Sequence, residues 1–127
     1  MFKNSKKQGD AGLGQAIAYF SMKGCEIALP LTDSTDWDLI IEDDNGLKRV
    51  QVKTSYQISA AETEIFDIRV KGGNKSGNTK TKMIDTQEWD LLFLHHLTTG
   101  RQAVIPKEVI TSKGQINLSE KYADYVV

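Results

Sequence analysis

One β-hairpin constrains the fold of this chain more than any other stretch. It consists of two apolar, β-branched runs, 37–42 and 47–54, joined by Asp43-Asp44-Asn45-Gly46. An Asn-Gly pair between such runs is the strongest short-range hairpin signal, because a type I′ turn needs positive φ at both central residues. We therefore predict a two-residue loop at Asn45-Gly46.

The hairpin also predicts which side chains share a face. The predicted loop pairs Asp38 with Lys53, whereas a loop at Asp44-Asn45 would pair Asp38 with Gln51. Because side chains alternate between the two faces of a strand, both registers place Asp38, Gln51 and Lys53 on one face. The opposite face carries apolar side chains that can form the floor of a core, namely Leu39, Ile41, Val50 and Val52.

The polar face combines a carboxylate, an amide and an ammonium group. Asp38 and Gln51, with the backbone carbonyl of Val52, offer the hard oxygen ligands that Mg²⁺ prefers. Lys53 beside a metal could orient an attacking water and offset negative charge on a phosphate. The structural alternative is an ion pair between Asp38 and Lys53 with Gln51 solvated, since cross-strand charge pairs are common.

Length and composition indicate an ordinary globular protein. The 127 residues predict a single domain, 1–127, with a sizeable core. We find no apolar run long enough for a membrane helix and no signal peptide, and we expect a cytoplasmic, intracellular protein. A single cysteine excludes an internal disulfide framework and a cysteine-rich zinc site. The net charge of −1 gives no overall sign of nucleic-acid binding, so the local distribution of charge decides.

The N-terminal region predicts a helix with one apolar stripe. Asp10 can cap this helix, residues 11–23 form its body, and Gly24 ends it. Four apolar residues recur at helical spacing along it: Leu13, Ala16, Ile17 and Phe20.

Short strands follow, one of them strongly apolar. The stretch 90–96 contains Leu91-Leu92-Phe93-Leu94, which predicts a strand buried on both faces. His95 and His96 are adjacent on that strand, so they point to opposite faces and cannot chelate one ion together. The other predicted strands are 25–29, 63–70 and 102–105, with a short helix at 107–111 and one further piece within 116–127.

A basic, glycine-rich segment follows the third predicted strand. The stretch 69–82 contains no acidic residue, which fits a flexible loop that contacts phosphates. The alternative is a solvated loop without a ligand. Its basic residues are Arg69, Lys71, Lys75, Lys80 and Lys82.

The order of these elements resembles the PD-(D/E)XK nuclease superfamily, and more narrowly its homing endonucleases encoded in group I introns of cyanobacteria. The resemblance covers about residues 9–110. It rests on Gly9-Asp10-Ala11-Gly12, Gly24, Pro30, Asp38-Leu39-Ile40, Arg49-Val50-Gln51-Val52-Lys53, Trp89-Asp90 and Ile105-Pro106. It implies an α/β fold with a restriction-endonuclease-like core, in which an N-terminal helix precedes a mixed central sheet flanked by helices.

The resemblance also assigns roles. It makes Asp38 the central metal-binding acid and Lys53 the catalytic lysine, and it places Gln51 at the Asp or Glu position of the superfamily's name. Asp10 falls where an acid of the first helix is expected. The chain departs from the family pattern because Trp37, and not proline, precedes Asp38. The implied chemistry is phosphodiester hydrolysis with Mg²⁺, or Mn²⁺ as a substitute, held by Asp38, Gln51, Val52 and Asp10.

Double-stranded DNA is the implied substrate. Arg49 lies on the polar face and could meet a phosphate, as could the basic loop. A chain with one active site needs a second copy to cut both strands, which predicts a homodimer. The resemblance to homing enzymes implies that a homotetramer can also form. We expect a sequence-specific homing endonuclease. The alternatives are a Holliday-junction resolvase and a non-catalytic DNA-binding module on the same fold.

Overall fold

A computed structural model describes residues 4–71 and 81–127. Within these residues, one long α-helix packs on a mixed five-stranded sheet, which is accompanied by two two-stranded sheets. In chain order the main elements are α1 (Ser5–Met22), β1 (Glu26–Ala28), β2 (Leu39–Asp43), β3 (Gly46–Ser55), β4 (Ile65–Asp67), β5 (Val70–Lys71), β6 (Thr81–Lys82), β7 (Leu91–His96), β8 (Gln102–Pro106) and β9 (Gln115–Asn117). Short 3₁₀ helices span Ile84–Thr86, Lys107–Val109 and Glu120–Tyr125.

Helix α1 begins earlier than the sequence predicts. Asn4 caps it, because the Asn4 side-chain oxygen accepts a hydrogen bond from the Lys7 backbone N–H at 2.9 Å. The predicted cap at Asp10 is therefore wrong, and Asp10 is an exposed residue inside the helix. The lysines before Asp10 are good helix formers, so nothing delays the helix until Asp10. The predicted end is confirmed, since Gly24 follows the helix with φ of 83°.

The five-stranded sheet has the order β1-β2-β3-β7-β8. Strands β3 and β7 are parallel, and the other neighbouring pairs are antiparallel. This arrangement confirms the mixed central sheet. Strand β7 lies between two neighbours, and Leu92, Phe93 and Leu94 have no exposed surface, as the continuous apolar run predicts.

The hairpin of β2 and β3 adopts the alternative register. Asp43 pairs with Gly46, so the loop is Asp44-Asn45, and the predicted loop at Asn45-Gly46 is wrong. Among the described residues the only non-glycine with positive φ is Glu62, so Asn45 does not form a type I′ turn. Instead, Asp43 Oδ1 accepts a hydrogen bond from the Asn45 N–H at 2.8 Å, and Gly46 takes φ of 111°.

The sheet separates two apolar cores. Helix α1 covers one face, where it buries Ala16 and Phe20 against side chains of the hairpin and β7: Leu39, Ile41, Val50 and Phe93. The other face carries the larger core, which includes Phe66, Ile68, Trp89, Leu92, Leu94, Ile105 and Ile116. Each such side chain, fully buried, contributes about 1.5–3 kcal/mol to the free energy of unfolding. Gln51 and Lys53 pair with Leu92 and Leu94, so they lie on the sheet face opposite α1.

The predicted third strand, 63–70, is interrupted. Strand β4 pairs with β9, whereas β5 pairs with β6, so the chain changes partner between them. Ile68, at the change of partner, is fully buried and donates its N–H to the Gly114 carbonyl at 3.0 Å. No helix among the described residues is long and apolar enough to cross a membrane.

Candidate active site

Asp38 lies immediately before β2, where its backbone and side chain both bind β3. Its N–H donates to the Val50 carbonyl at 2.8 Å, and its Oδ2 accepts the Val52 N–H at 2.7 Å. The carboxylate is therefore held across the hairpin by a charge-assisted hydrogen bond. Its other oxygen, Oδ1, accepts no hydrogen bond from the described residues.

Gln51 lies beside this carboxylate and is only 7% exposed. With the amide oriented to satisfy both of its ends, the nitrogen donates to the Asp36 carbonyl oxygen and to Asp38 Oδ2 at 3.3 Å. A solvated Gln51, which the structural alternative requires, is therefore wrong. Both the observed register and the hydrogen bonds bring Gln51 next to Asp38.

Lys53 lies two residues further along β3 and is half-buried. Its Nζ donates to the backbone carbonyl of Arg69 at 2.6 Å, and no ion pair joins it to Asp38. The ion pair of the structural alternative is therefore wrong. The lysine is positioned by a segment of chain that the hairpin does not contain.

Burial disfavours the charged forms of both groups. It raises the pKa of Asp38, against the opposing effects of the Val52 N–H and the Lys53 charge. It lowers the pKa of Lys53, against the attraction of Asp67 and Asp38. An opposite charge nearby would favour the charged form of each group. A bound cation would do so for the Asp38 carboxylate, and a phosphate would do so for the Lys53 amine.

A cavity of about 270 Å³ opens beside Asp38. Its walls come from α1 and from the segment between β1 and β2, and they consist of Leu13, Leu29, Pro30, Thr32, Asp33, Thr35, Trp37 and Asp38. Asp10 lies one helical turn before Leu13 and is exposed. No hydrogen bond or ion pair within the described part of the chain joins Asp10 to Asp38, Gln51 or Lys53.

The oxygen atoms around Asp38 provide some, but not all, of the ligands that Mg²⁺ requires. No three His, Cys, Asp or Glu side chains among the described residues are close enough to hold a metal ion. Mg²⁺, however, commonly uses only one or two carboxylates and takes its remaining ligands from water and phosphate. The Asp38 carboxylate, the Gln51 amide oxygen and the Val52 carbonyl fit that requirement, provided that the Gln51 amide turns its oxygen toward Asp38.

Arg49 is already engaged. Its backbone N–H donates to Asp90 Oδ2 at 2.8 Å, and its Nε lies 3.3 Å from the same oxygen. The two side chains are each 42% exposed, so the guanidinium keeps open surface on the polar face of β3. Trp89-Asp90, a pair singled out in the sequence, thus connects β7 to the polar face of the hairpin.

Arg69 is the part of the basic segment that the structure describes in full. Its Nη2 and Nε bind the two oxygens of Asp67 at 2.8 and 2.9 Å. Lys75 and Lys80 lie outside the described residues, as do the side chains of Lys71 and Lys82. Sequence reasoning did not identify Asp67 or the Arg69 carbonyl as neighbours of Lys53. The Asp-x-Arg spacing was visible, but nothing local connects it with a strand about 15 residues away.

Comparisons with known proteins identify the family. A model of the PD-(D/E)XK endonuclease family matches residues 3–124. Among solved structures, the chain is similar to the bacterial homing endonuclease I-Ssp6803I, with a TM-score of 0.69 and 24% identity. The alignment covers 92% of this chain and 77% of that one, and it confirms the predicted fold. The comparison with curated proteins found no match. The chain therefore belongs to the PD-(D/E)XK endonuclease family.

Proposed function

We propose that this endonuclease is Mg²⁺-dependent, with Mn²⁺ as a substitute, and that it cuts double-stranded DNA at a specific sequence, as a homing endonuclease does. One observation carries the proposal. Gln51 binds Asp38, Lys53 lies on the same face of β3 as Gln51, and Asp38 borders an open cavity. A carboxylate, an amide oxygen and an ammonium group in this order provide what metal-assisted phosphodiester hydrolysis needs.

Asp38, Gln51 and the Val52 carbonyl would hold the metal ion, with Asp10 as a further acid from α1. When bound, Mg²⁺ supplies positive charge at the scissile phosphate. The Asp38 carboxylate is fixed for this role by the Val52 N–H at 2.7 Å, which leaves Oδ1 available. Lys53 orients the attacking water and offsets the charge that grows on the phosphate in the transition state.

Basic residues around this face would contact the DNA backbone. Arg49 keeps 42% of its side chain exposed beside the hairpin, and Arg69 keeps 48%. Such contacts position a duplex without reading its sequence. The proposed DNA-contacting set is Arg49, Arg69, Lys71, Lys75, Lys80 and Lys82.

A homodimer or homotetramer completes the proposal. One domain, 1–127, carries one copy of the Asp38, Gln51 and Lys53 group. Two copies related by a two-fold axis would place one active site at each strand of a duplex. Sedimentation of the protein with and without target DNA measures this assembly.

The decisive experiment measures DNA cleavage as a function of metal. Wild type, Asp38→Asn and Lys53→Ala are incubated with plasmid, random-library and four-way-junction DNA in Mg²⁺, Mn²⁺ or EDTA. Lys48→Ala serves as the matched control for Lys53→Ala, because it removes a lysine from the same strand outside the site. We expect wild type and Lys48→Ala to cut in Mg²⁺, and Lys53→Ala to lose about 10²–10³-fold in rate.

The substrate that is cut separates the alternatives. Cleavage of one long sequence supports the homing endonuclease, whereas cleavage of junctions of many sequences would replace it with a resolvase. Binding of DNA without cleavage under any metal would replace it with a non-catalytic module. Cleavage in EDTA, or full activity of Lys53→Ala, would refute the proposed chemistry.

A further inference from the structure

The segment that holds Lys53 is itself ordered by an acidic side chain. Asp67 Oδ1 accepts the backbone N–H of Arg69 at 2.9 Å, which closes an Asx turn. The same carboxylate binds the Arg69 guanidinium through both oxygens. The carbonyl of Arg69, in the peptide group that directly follows this turn, is the acceptor that Lys53 Nζ meets at 2.6 Å.

A buried chain of hydrogen bonds fixes the other side of this turn. The Trp89 indole N–H donates to Gln87 Oε1 at 2.6 Å, and Gln87 Nε2 donates to the Ile68 carbonyl at 2.9 Å. All three residues are at most 2% exposed. The peptide group between Ile68 and Arg69 is therefore held at its carbonyl by Gln87 and at its N–H by Asp67, and of these two residues only Asp67 also holds the Arg69 side chain.

We infer that Asp67 is a positioning residue for Lys53, acting through the Asx turn that aims the Arg69 carbonyl at the lysine Nζ. The inference rests on the proposed function only for its effect on cleavage. Lys53 stands on a long side chain with many rotamers, and a short hydrogen bond to a fixed carbonyl selects one of them. Displacement of a reacting group by about 1 Å can cost about 10²-fold in rate, so a residue that fixes Lys53 matters without touching DNA.

A surface ion pair offers the contrasting explanation of the same contacts. The Asp67 and Arg69 side chains are 57% and 48% exposed, and exposed pairs contribute little to stability. That explanation predicts that removal of Asp67 leaves Lys53 undisturbed. The test must therefore follow Lys53 itself.

Three variants separate the effect of the Asx turn on Lys53 from the effect of the Asp67 charge. Asp67→Ala removes both acceptor oxygens and the charge, whereas Asp67→Asn keeps one acceptor oxygen for the Arg69 N–H and removes the charge and the second oxygen that binds the guanidinium. Asp124→Ala is the matched control, since it removes an exposed carboxylate from the last 3₁₀ helix. For each full-length protein, the acetylation rate of Lys53 by acetic anhydride is measured by mass spectrometry, with exposed Lys6 of α1 as the internal reference.

We expect Asp67→Ala to raise the relative acetylation rate of Lys53 by about fivefold, because its Nζ loses a fixed acceptor. Asp67→Asn should stay closer to wild type, and Asp124→Ala should match wild type. Single-turnover cleavage should fall about tenfold in Asp67→Ala. The affinity for DNA in EDTA, measured for the same variants, separates this loss from any change in the proposed contact of Arg69 with the DNA backbone.

An unchanged acetylation rate in Asp67→Ala would overturn the inference, whatever happens to cleavage. Equal changes in Asp67→Asn and Asp67→Ala would also overturn it, because the charge alone would then act. If wild type cuts no DNA while Lys53 acetylation still follows Asp67, the positioning is supported and the proposed function fails. The two claims therefore fail separately.

Discussion

Gly12 tests how closely α1 approaches β3, the strand that carries Gln51 and Lys53. A Cβ atom added at Gly12 would collide with Thr54 Cγ2 and would lie 3.3 Å from Val52 Cγ1. Gly14 lies on the exposed side of the same helix, where an added Cβ would meet nothing within 4 Å. Gly12→Ala and Gly14→Ala therefore add the same methyl group to one helix in crowded and in open surroundings.

The expected free energies follow from two opposing effects. Alanine in place of glycine inside a helix stabilises by about 0.8–1.0 kcal/mol, and Gly14→Ala should gain this in full. A methyl group forced into a packed interior costs about 1–3 kcal/mol. Gly12→Ala should therefore range from roughly neutral to about 2 kcal/mol destabilised, and the two variants should differ by about 1–3 kcal/mol.

Urea unfolding of both variants measures this difference directly, and thermal unfolding should separate them by about 3–5 °C per kcal/mol. A second-site change locates the cause. Thr54→Ser removes the methyl group that collides, so Gly12→Ala should cost less in the Thr54→Ser background than alone, by about 0.5 kcal/mol or more.

Equal stabilisation by Gly12→Ala and Gly14→Ala would refute the close approach of α1 to β3. A cost of Gly12→Ala that Thr54→Ser leaves unchanged would place the crowding elsewhere. If the reasoning holds, Gly12→Ala should also lower DNA cleavage relative to Gly14→Ala, because displacing β3 displaces Lys53.

Three further predictions concern stability away from the site. Burial would raise the pKa of Glu64, but hydrogen bonds from its own backbone and Thr99 and the charge of Arg101 outweigh burial and hold the pKa below its ordinary value of 4.5. The ionised Glu64 side chain therefore stabilises the fold above pH 4.5, and this stabilisation is lost as the pH falls through its lowered pKa. Glu64→Gln should lower the free energy of unfolding by about 1–2 kcal/mol at pH 7 and by less at pH 3, as measured by urea unfolding. A cost that is the same at both pH values, or that matches exposed Glu62→Gln, would contradict this. His96→Leu should lower the free energy of unfolding by about 1–3 kcal/mol, and by more than His95→Leu does. The reason is that His96 is fully buried and binds the Gln57 carbonyl and the N–H groups of Thr98 and Thr99. Equal losses in the two variants would be inconsistent with these hydrogen bonds. Gly46→Ala should cost about 1–2 kcal/mol, because φ of 111° strains an L-residue although a Cβ there has open space; unchanged stability would argue against the observed turn.

The hairpin illustrates what a local pattern can and cannot predict. The two apolar runs and their Asn-Gly signal correctly predicted a two-residue loop between antiparallel strands, but the loop is shifted by one residue. The shift arises because Asp43 caps the turn through the Asn45 N–H, a side-chain contact that competes with the type I′ geometry. The shared face of Asp38, Gln51 and Lys53 survives, because both registers keep the alternation in phase.

The start of α1 shows the same limit in a helix. Asp10 carries the chemistry of a cap, yet Asn4 carries it too and precedes residues that favour helix. The apolar stripe was predictable because Ala16 and Phe20 recur at helical spacing. Whether Asn4 or Asp10 caps the helix depends on small differences in free energy, and these differences cannot be read from the spacing of the residues.

The sequence by itself determined the strands of the five-stranded sheet and the face shared by Asp38, Gln51 and Lys53, since the alternation of side chains along a strand is a local property of the backbone. The order of the elements, together with Asp38 and the Gln51-Val52-Lys53 run, also predicted the family, which the match over residues 3–124 confirms. Only the tertiary structure decided that Gln51 is buried against Asp36 and that Lys53 meets the Arg69 carbonyl. These contacts join residues far apart in the chain, so they exist only after the core around Ile68 and Trp89 has brought separate segments together.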